Sequence, residues 1–143
     1  MEKILISACL VGDKVKYDGK DNYNDKIPLL LEKYELVPFC PEVEGGLSIP
    51  RNPSERVKDR VKMKDGRDVT HQYEAGAERA LNICLYLGIK IAILKENSPS
   101  CGTHQIYDGT FSNRKISGMG VTAELLKRRG ITVISEDEID TLL

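Results

Sequence analysis

Four cysteines, at positions 9, 40, 84 and 101, are the residues most able to do chemistry here. A thiolate is a nucleophile and a soft metal ligand. The segment around Cys40, LVPFCPEVEGG, sets Glu42 two residues beyond the thiol. A carboxylate that close to a thiol is placed for acid–base work at the same mouth. Cys101 follows two serines, Ser98 and Ser100, in NSPSCG. The spacing is far wider than the CxxC pairs of structural zinc sites and lacks the CxxCxxC run of ferredoxins. Two readings of the thiols therefore stand: three converge on a metal, or some are small buried hydrophobes.

The elements that would position them alternate between strand and helix. Lys3 to Cys9 and Glu35 to Cys40 read as buried strands, as do Lys90 to Leu94 and Ile131 to Ile134. Ile27 to Tyr34 has helical spacing, with Pro28 tolerated only in a first turn. Thr70 is an expected N-cap for a helix to Leu87, closed by Gly88, with Tyr73, Ala77, Ala80, Leu81 and Cys84 on its apolar face. Thr122 to Arg129 and Glu136 to Leu143 read as further helices. Ile106 to Phe111 reads as a hairpin edge around Asp108–Gly109. Pro53 to Lys64 reads as a short helix or an exposed excursion. The expected fold class is α/β: a single domain of three layers, residues 1–143, with a mostly parallel sheet flanked by helices.

In such a sheet the strands' carboxyl ends share one edge, where ligands sit. Cys9 and Cys40 end strands, and Cys101 lies in the loop after another, so these three share that edge. Cys84 falls mid-helix on the apolar stripe and reads as core.

The chain has 143 residues with 21 basic and 22 acidic side chains, a net charge of −1. Near balance argues against an extended nucleic-acid or anionic-membrane surface. No run reaches the roughly 20 apolar residues of a membrane-spanning helix, and the start lacks a secretion signal. A cytoplasmic setting with reduced thiols is expected.

Several motifs in order resemble one family. They are SACLVG (7–12) with YDG (17–19), CPEVEGGLSIPR (40–51), GRDVT (66–70), LKENSPSCG (94–102), IYDGTF (106–111) and GMGVTAELL (118–126). Together they resemble the small bacterial DUF523 family, whose characterised members are TudS-like thiouracil desulfidases. The likeness covers essentially the whole chain. Ser48–Ile49 depart from the family's usual Pro–Thr.

The resemblance implies a 4Fe-4S cluster held by Cys9, Cys40 and Cys101, with one iron free of protein ligand. It implies removal of sulfur from 2-thiouracil or a related thiolated pyrimidine, with water as the attacking group and hydrogen sulfide as product. No net electron moves, so no nicotinamide or flavin is required. Glu42 is then the expected general acid/base. Ser98 resembles the family's active-site serine, with Ser100 as its near competitor for a substrate contact. Gly45–Gly46 and the pair Gly118 and Gly120 would let backbone approach a flat ring, and the second pair precedes a helix with free N–H groups. Arg51 reads as a contact to substrate or an acid, or as solvated. His71, His104 and the basic run Arg56 to Lys64 read as surface, and Ser7 as structural. Alternative functions are a zinc or cysteine-nucleophile enzyme on the same frame, or a non-catalytic cluster- or sulfur-sensing module.

Overall fold

The computed structural model describes all 143 residues. Its elements are β1 (Glu2–Ser7), α1 (Ile27–Leu31), β2 (Tyr34–Phe39), α2 (Pro41–Glu44), β3 (Ser54–Val57), β4 (Arg60–Met63), α3 (Thr70–Leu87), β5 (Ile91–Leu94), β6 (Gln105–Tyr107), β7 (Lys115–Ser117), α4 (Val121–Arg128) and β8 (Thr132–Ser135). Two 3-10 segments, Ala8–Val11 and Glu136–Leu142, complete it. No helix is long and apolar enough to cross a membrane.

Four strands form one wholly parallel sheet in the order β2-β1-β5-β8. Its apolar residues alternate between faces, as the strand period of two requires. Leu5, Ala92 and Leu94 point to α3 and α4, where Ala80, Leu81, Cys84, Ala123 and Leu126 cover them. Ile4, Ile6 and Ile93 point the other way, onto Leu10, Ile27, Leu30 and Ile139. Each Leu or Ile fully buried in this way contributes about 1.5–3 kcal/mol. The three-layer α/β expectation therefore holds.

The chain leaves β1 toward β2 on one side and later returns to β5 on the other. That reversal opens a crevice at the strands' carboxyl ends, the place where open α/β sheets bind ligands. The segments after β1, β2 and β5 carry Cys9, Cys40 and Cys101.

Local expectations shift in instructive ways. The Ile27 helix stops at Leu31, and Tyr34 already belongs to β2, paired with Glu2. Pro53 to Lys64 is neither helix nor excursion but the antiparallel hairpin β3–β4. Val61 and Met63 turn inward onto Tyr73 and Val69 while Arg60 and Lys62 face out. Thr70 does not cap α3. Asp68 Oδ1 accepts the Thr70 N–H at 2.9 Å, and the Thr70 hydroxyl is buried, accepting the Val61 N–H at 2.9 Å. The hairpin near Asp108 is wider than expected, with β6 and β7 joined across residues 108–114. The C-terminal helix is 3-10, opened by a capping box between Ser135 and Glu138.

Candidate active site

The thiols of Cys9, Cys40 and Cys101 line one cavity of about 500 Å³. Cys9 sits in the 3-10 turn just past β1, Cys40 at the N-cap of α2, and Cys101 in the loop after β5. Cys84 is apart, 1% exposed between α3 and the sheet, and burial pushes it up to about 11.

Burial raises each of the three cavity thiols. Cys101 is pushed up to about 12, against which the Ser7 and Ser100 hydroxyls pull. Cys9 is raised by burial despite the Asn22 amide, which donates to Sγ at 3.4 Å. Cys40 is raised by burial while the Val43 N–H at the start of α2 pulls back. Cys40 also raises Cys9 and Cys101 through its charge, while Cys40 itself is raised by Glu42 and lowered by Arg51. Three soft thiol donors lining one cavity are the donor chemistry that suits an iron–sulfur core. O–H and N–H donors beside the sulfurs are the contacts that tune such a core. A buried thiol in its neutral form is a poor nucleophile, so Cys101 alone suits the role less well than three thiols around a metal centre, whose binding expels their protons.

Glu42 projects from the first turn of α2 into the same cavity. Its Oε1 accepts from Arg51 Nε at 3.1 Å, and both side chains are nearly enclosed, 14% and 4% exposed. Arg51 is thus neither solvated nor free for substrate. Its other nitrogens donate to the carbonyls of Val15 at 2.8 Å and Ser48 at 3.1 Å. The guanidinium locks the carboxylate to two loops and balances its charge.

The other carboxylate oxygen, Oε2, accepts from Ser100 Oγ at 2.8 Å. Ser98 Oγ lies 2.9 Å from Ser100 Oγ and 3.5 Å from Oε2. Ser98 Oγ also accepts the backbone N–H groups of Ser100 and Cys101, each at 3.1 Å. Ser100 Oγ has two acceptors for its one proton, Glu42 Oε2 at 2.8 Å and Cys101 Sγ at 3.6 Å; in the shorter arrangement it donates to Glu42 and Ser98 donates to Ser100. The hydroxyls form a directed chain, Ser98 to Ser100 to Glu42. The two serines thus divide the work, with Ser100 buried against the carboxylate and Ser98 one step outward.

Residues missed in the sequence hold the Cys101 loop. Glu96 Oε1 accepts the N–H groups of Thr103, His104 and Gln105 at 2.8, 2.9 and 3.1 Å. Burial alone would push Glu96 up, but these N–H donors outweigh it and leave it lowered. Lys95 pairs with Glu136 at 2.9 Å on the cavity wall. The Ser7 hydroxyl accepts the Lys95 N–H at 2.9 Å, so its structural role is real and touches the site. Asn22 had no motif to announce it, and a loop asparagine offers no signal without the fold.

The glycines do not approach the cavity. A Cβ on Gly45 would lie 2.0 Å from the Gln72 carbonyl oxygen, so Gly45 lets α2 pack on α3. Gly46, at φ +103°, lies on a separate outer groove. Gly118 packs on Ile106, and a Cβ on Gly120 would lie 2.4 Å from the Ser100 carbonyl carbon. The first N–H groups of α4 are not free. Val121 donates to Pro99 O at 2.9 Å and Thr122 to Ser100 O at 2.8 Å. The expected ring contact is replaced by close packing that fixes the Cys40 and Cys101 segments. His71 and His104 are exposed, the latter paired with Glu138. Arg56 is largely enclosed, donating to Met119 O at 2.6 Å and to Glu124, so the basic run is only partly a solvated face.

Comparison with known proteins gives a family and a close structural neighbour. The family model described as 2-thiouracil desulfurase matches residues 4–138. An uncharacterised protein of Bacillus subtilis (strain 168), YbbK, is 42% identical over 150 residues, spanning 98% of this chain and 99% of its own. A solved structure of the 4Fe-4S-dependent thiouracil desulfidase TudS (DUF523Vcz) superposes with a TM-score of 0.94 at 46% identity. That match covers 99% of this chain and 95% of the solved one.

Proposed function

The chain belongs to the 2-thiouracil desulfurase family, and from that premise we propose that it is an iron–sulfur-dependent desulfidase of 2-thiouracil or a closely related thiolated pyrimidine. The supporting observation is one cavity that joins Cys9, Cys40 and Cys101 to Glu42 and its two serines. The balanced reaction exchanges C=S for C=O: water enters, hydrogen sulfide and the oxo-pyrimidine leave, and no electron is consumed.

Cys9, Cys40 and Cys101 are the residues that would hold a 4Fe-4S cluster. When bound, the cluster supplies a soft Lewis-acidic iron for the thiocarbonyl sulfur. The protein does the remainder. Glu42, fixed by Arg51 at one oxygen, presents the other toward the cavity and takes a proton from the attacking water. Ser100 and Ser98 carry hydrogen bonding from that oxygen outward and give the proton a path toward the departing sulfur. Ser98, as the outer hydroxyl, is the one placed to meet substrate or water. Lys95 lends a positive charge to a wall that must tolerate thiolates.

We read the partner as this small molecule alone, since charge is near balance and no broad basic field is expected to draw nucleic acid. A cytoplasmic setting suits thiols that must stay reduced. The test is sulfide and uracil release from 2-thiouracil by anaerobically loaded protein. Release lost in Glu42→Ala with the iron retained supports the reading, and a loaded wild type that liberates no sulfide rejects it.

A further inference from the structure

The hairpin β6–β7 brings Tyr107, Phe111 and Asn113 to the lining of the cavity that Glu42 and the three thiols also line. Its turn is conformationally unusual. Phe111 has φ +56° and Asn113 φ +62°, with Gly109 at φ +95°. Asparagine and glycine enter the left-handed region readily, but a bulky aromatic residue does so only where its surroundings impose it.

The imposing group is Glu55 on β3. A single oxygen, Oε1, accepts both the Gly109 N–H at 2.8 Å and the Phe111 N–H at 3.1 Å. These two bonds grip the backbone on either side of Thr110. Two further contacts seat the turn. Asp108 Oδ1 accepts the Thr110 N–H at 2.9 Å, and Gly109 faces Val57, whose Cγ2 would be 2.1 Å from any added Cβ. Glu55 itself lines the cavity. It is a half-buried carboxylate spent on two amides of a strained turn.

Strain of this kind has one visible product, which is the Phe111 ring at the cavity wall. A flat heterocycle stacks on an aromatic face. We propose that Phe111 is a substrate-ring contact and specificity determinant, and that Glu55 is its positioning residue. This rests on the desulfidase reading for the identity of the ring, but it concerns groups distinct from the thiols and from Glu42.

The test uses anaerobically loaded full-length protein with 2-thiouracil, comparing Phe111→Ala, Glu55→Ala, Glu55→Gln and the double variant Glu55→Ala/Phe111→Ala. Phe111→Ala should raise KM about tenfold, the size of a lost aromatic contact, with kcat changed less than twofold. Glu55→Ala should give the same split, and the double variant should be no worse than Phe111→Ala, because the two act as one unit. Glu55→Gln keeps an acceptor oxygen and should recover wild-type KM. Faster hydrogen exchange at the Gly109 and Phe111 amides in Glu55→Ala, but not in Glu55→Gln, should accompany it.

An unchanged KM in Phe111→Ala, additive losses in the double variant, or no rescue by Gln overturns the proposal. Equilibrium dialysis of 2-thiouracil separates this from failure of the parent reading. Wild type that binds but does not turn over rejects the desulfidase reading, while binding lost in Phe111→Ala and Glu55→Ala still supports the wall. Wild type that neither binds nor turns over overturns both.

Discussion

Ser100 Oγ donates to Glu42 Oε2 at 2.8 Å, tying the Cys101 loop to the first turn of α2. The bond crosses between two of the three segments that carry cavity thiols. It joins the candidate base to the loop through Ser100, a residue only 1% exposed. Removing either end therefore tests chemistry and architecture separately.

Glu42→Ala should lower kcat by about 10²–10⁴-fold, the range of a lost general acid–base group, with iron content unchanged. Ser100→Ala should lower kcat less, by roughly tenfold or more, since Ser98 still lies 3.5 Å from Oε2 and can reach it directly. Steady-state kinetics beside iron analysis checks both. Full activity in Glu42→Ala removes that residue from the mechanism.

Arg51→Met leaves a nearly enclosed carboxylate without its cation. Breaking one partner of such a pair costs about 3–5 kcal/mol, most of it the burden of the uncompensated charge. Adding Glu42→Gln should recover part of that loss. Urea unfolding of the two variants measures it, and an Arg51→Met loss under about 1 kcal/mol would show that solvent compensates the carboxylate.

Gly76→Ala should injure the site from a distance. A Cβ there would lie 1.9 Å from the Pro41 carbonyl oxygen, a contact that forces α2 away from α3. Since α2 begins at Cys40 and carries Glu42, the shift should lower both stability and iron binding. Gly88→Ala, at a helix C-cap with nothing within 4 Å, should cost stability through its φ of +69° alone and leave iron binding intact. Thermal unfolding and iron content together discriminate the two.

The surface pair His104–Glu138 gives a pH signature away from the cavity. Glu138 raises His104 above its ordinary 6.5, so its contribution is complete below that value and fades as pH rises through the elevated one. Glu138, held below 4.5 first by the Ser135 N–H and then by His104, contributes above 4.5 and fades in acid. The stability gap between wild type and His104→Ala should therefore be widest between about pH 4.5 and 6.5. Both groups are partly exposed, so it should stay within about 1 kcal/mol and shrink with salt. A gap growing toward pH 9 would contradict the pairing.

Much of this was legible in the residues. Continuous apolar runs marked all four sheet strands within a residue or two, because strands buried on both faces leave little room for polar side chains. The long α3 stripe gave its span. Strand-end placement alone put Cys9, Cys40 and Cys101 on one edge. The hairpin β3–β4 was hidden by charge, though Arg60-Val61-Lys62-Met63 alternates with the strand period. For Arg51 a contact to an acid was one of the readings and is the one realised, with Glu42, whereas Arg56 looked like surface because a buried guanidinium is recognised only through its acceptors, which lie far away in sequence. Asn22, Lys95, Glu96 and Glu55 act through bonds to other segments, which composition does not record. The glycines misled for a physical reason: close approach was the right inference, but backbone of the same chain is what approaches.

Iron and acid-labile sulfide per chain, measured after anaerobic purification, bear most directly on a cluster held by Cys9, Cys40 and Cys101. About four irons and four sulfides are expected in wild type and in Cys84→Ser, and a sharp fall in Cys9→Ala, Cys40→Ala and Cys101→Ala. An iron-free wild type, or any of those three variants retaining its full complement, would contradict it.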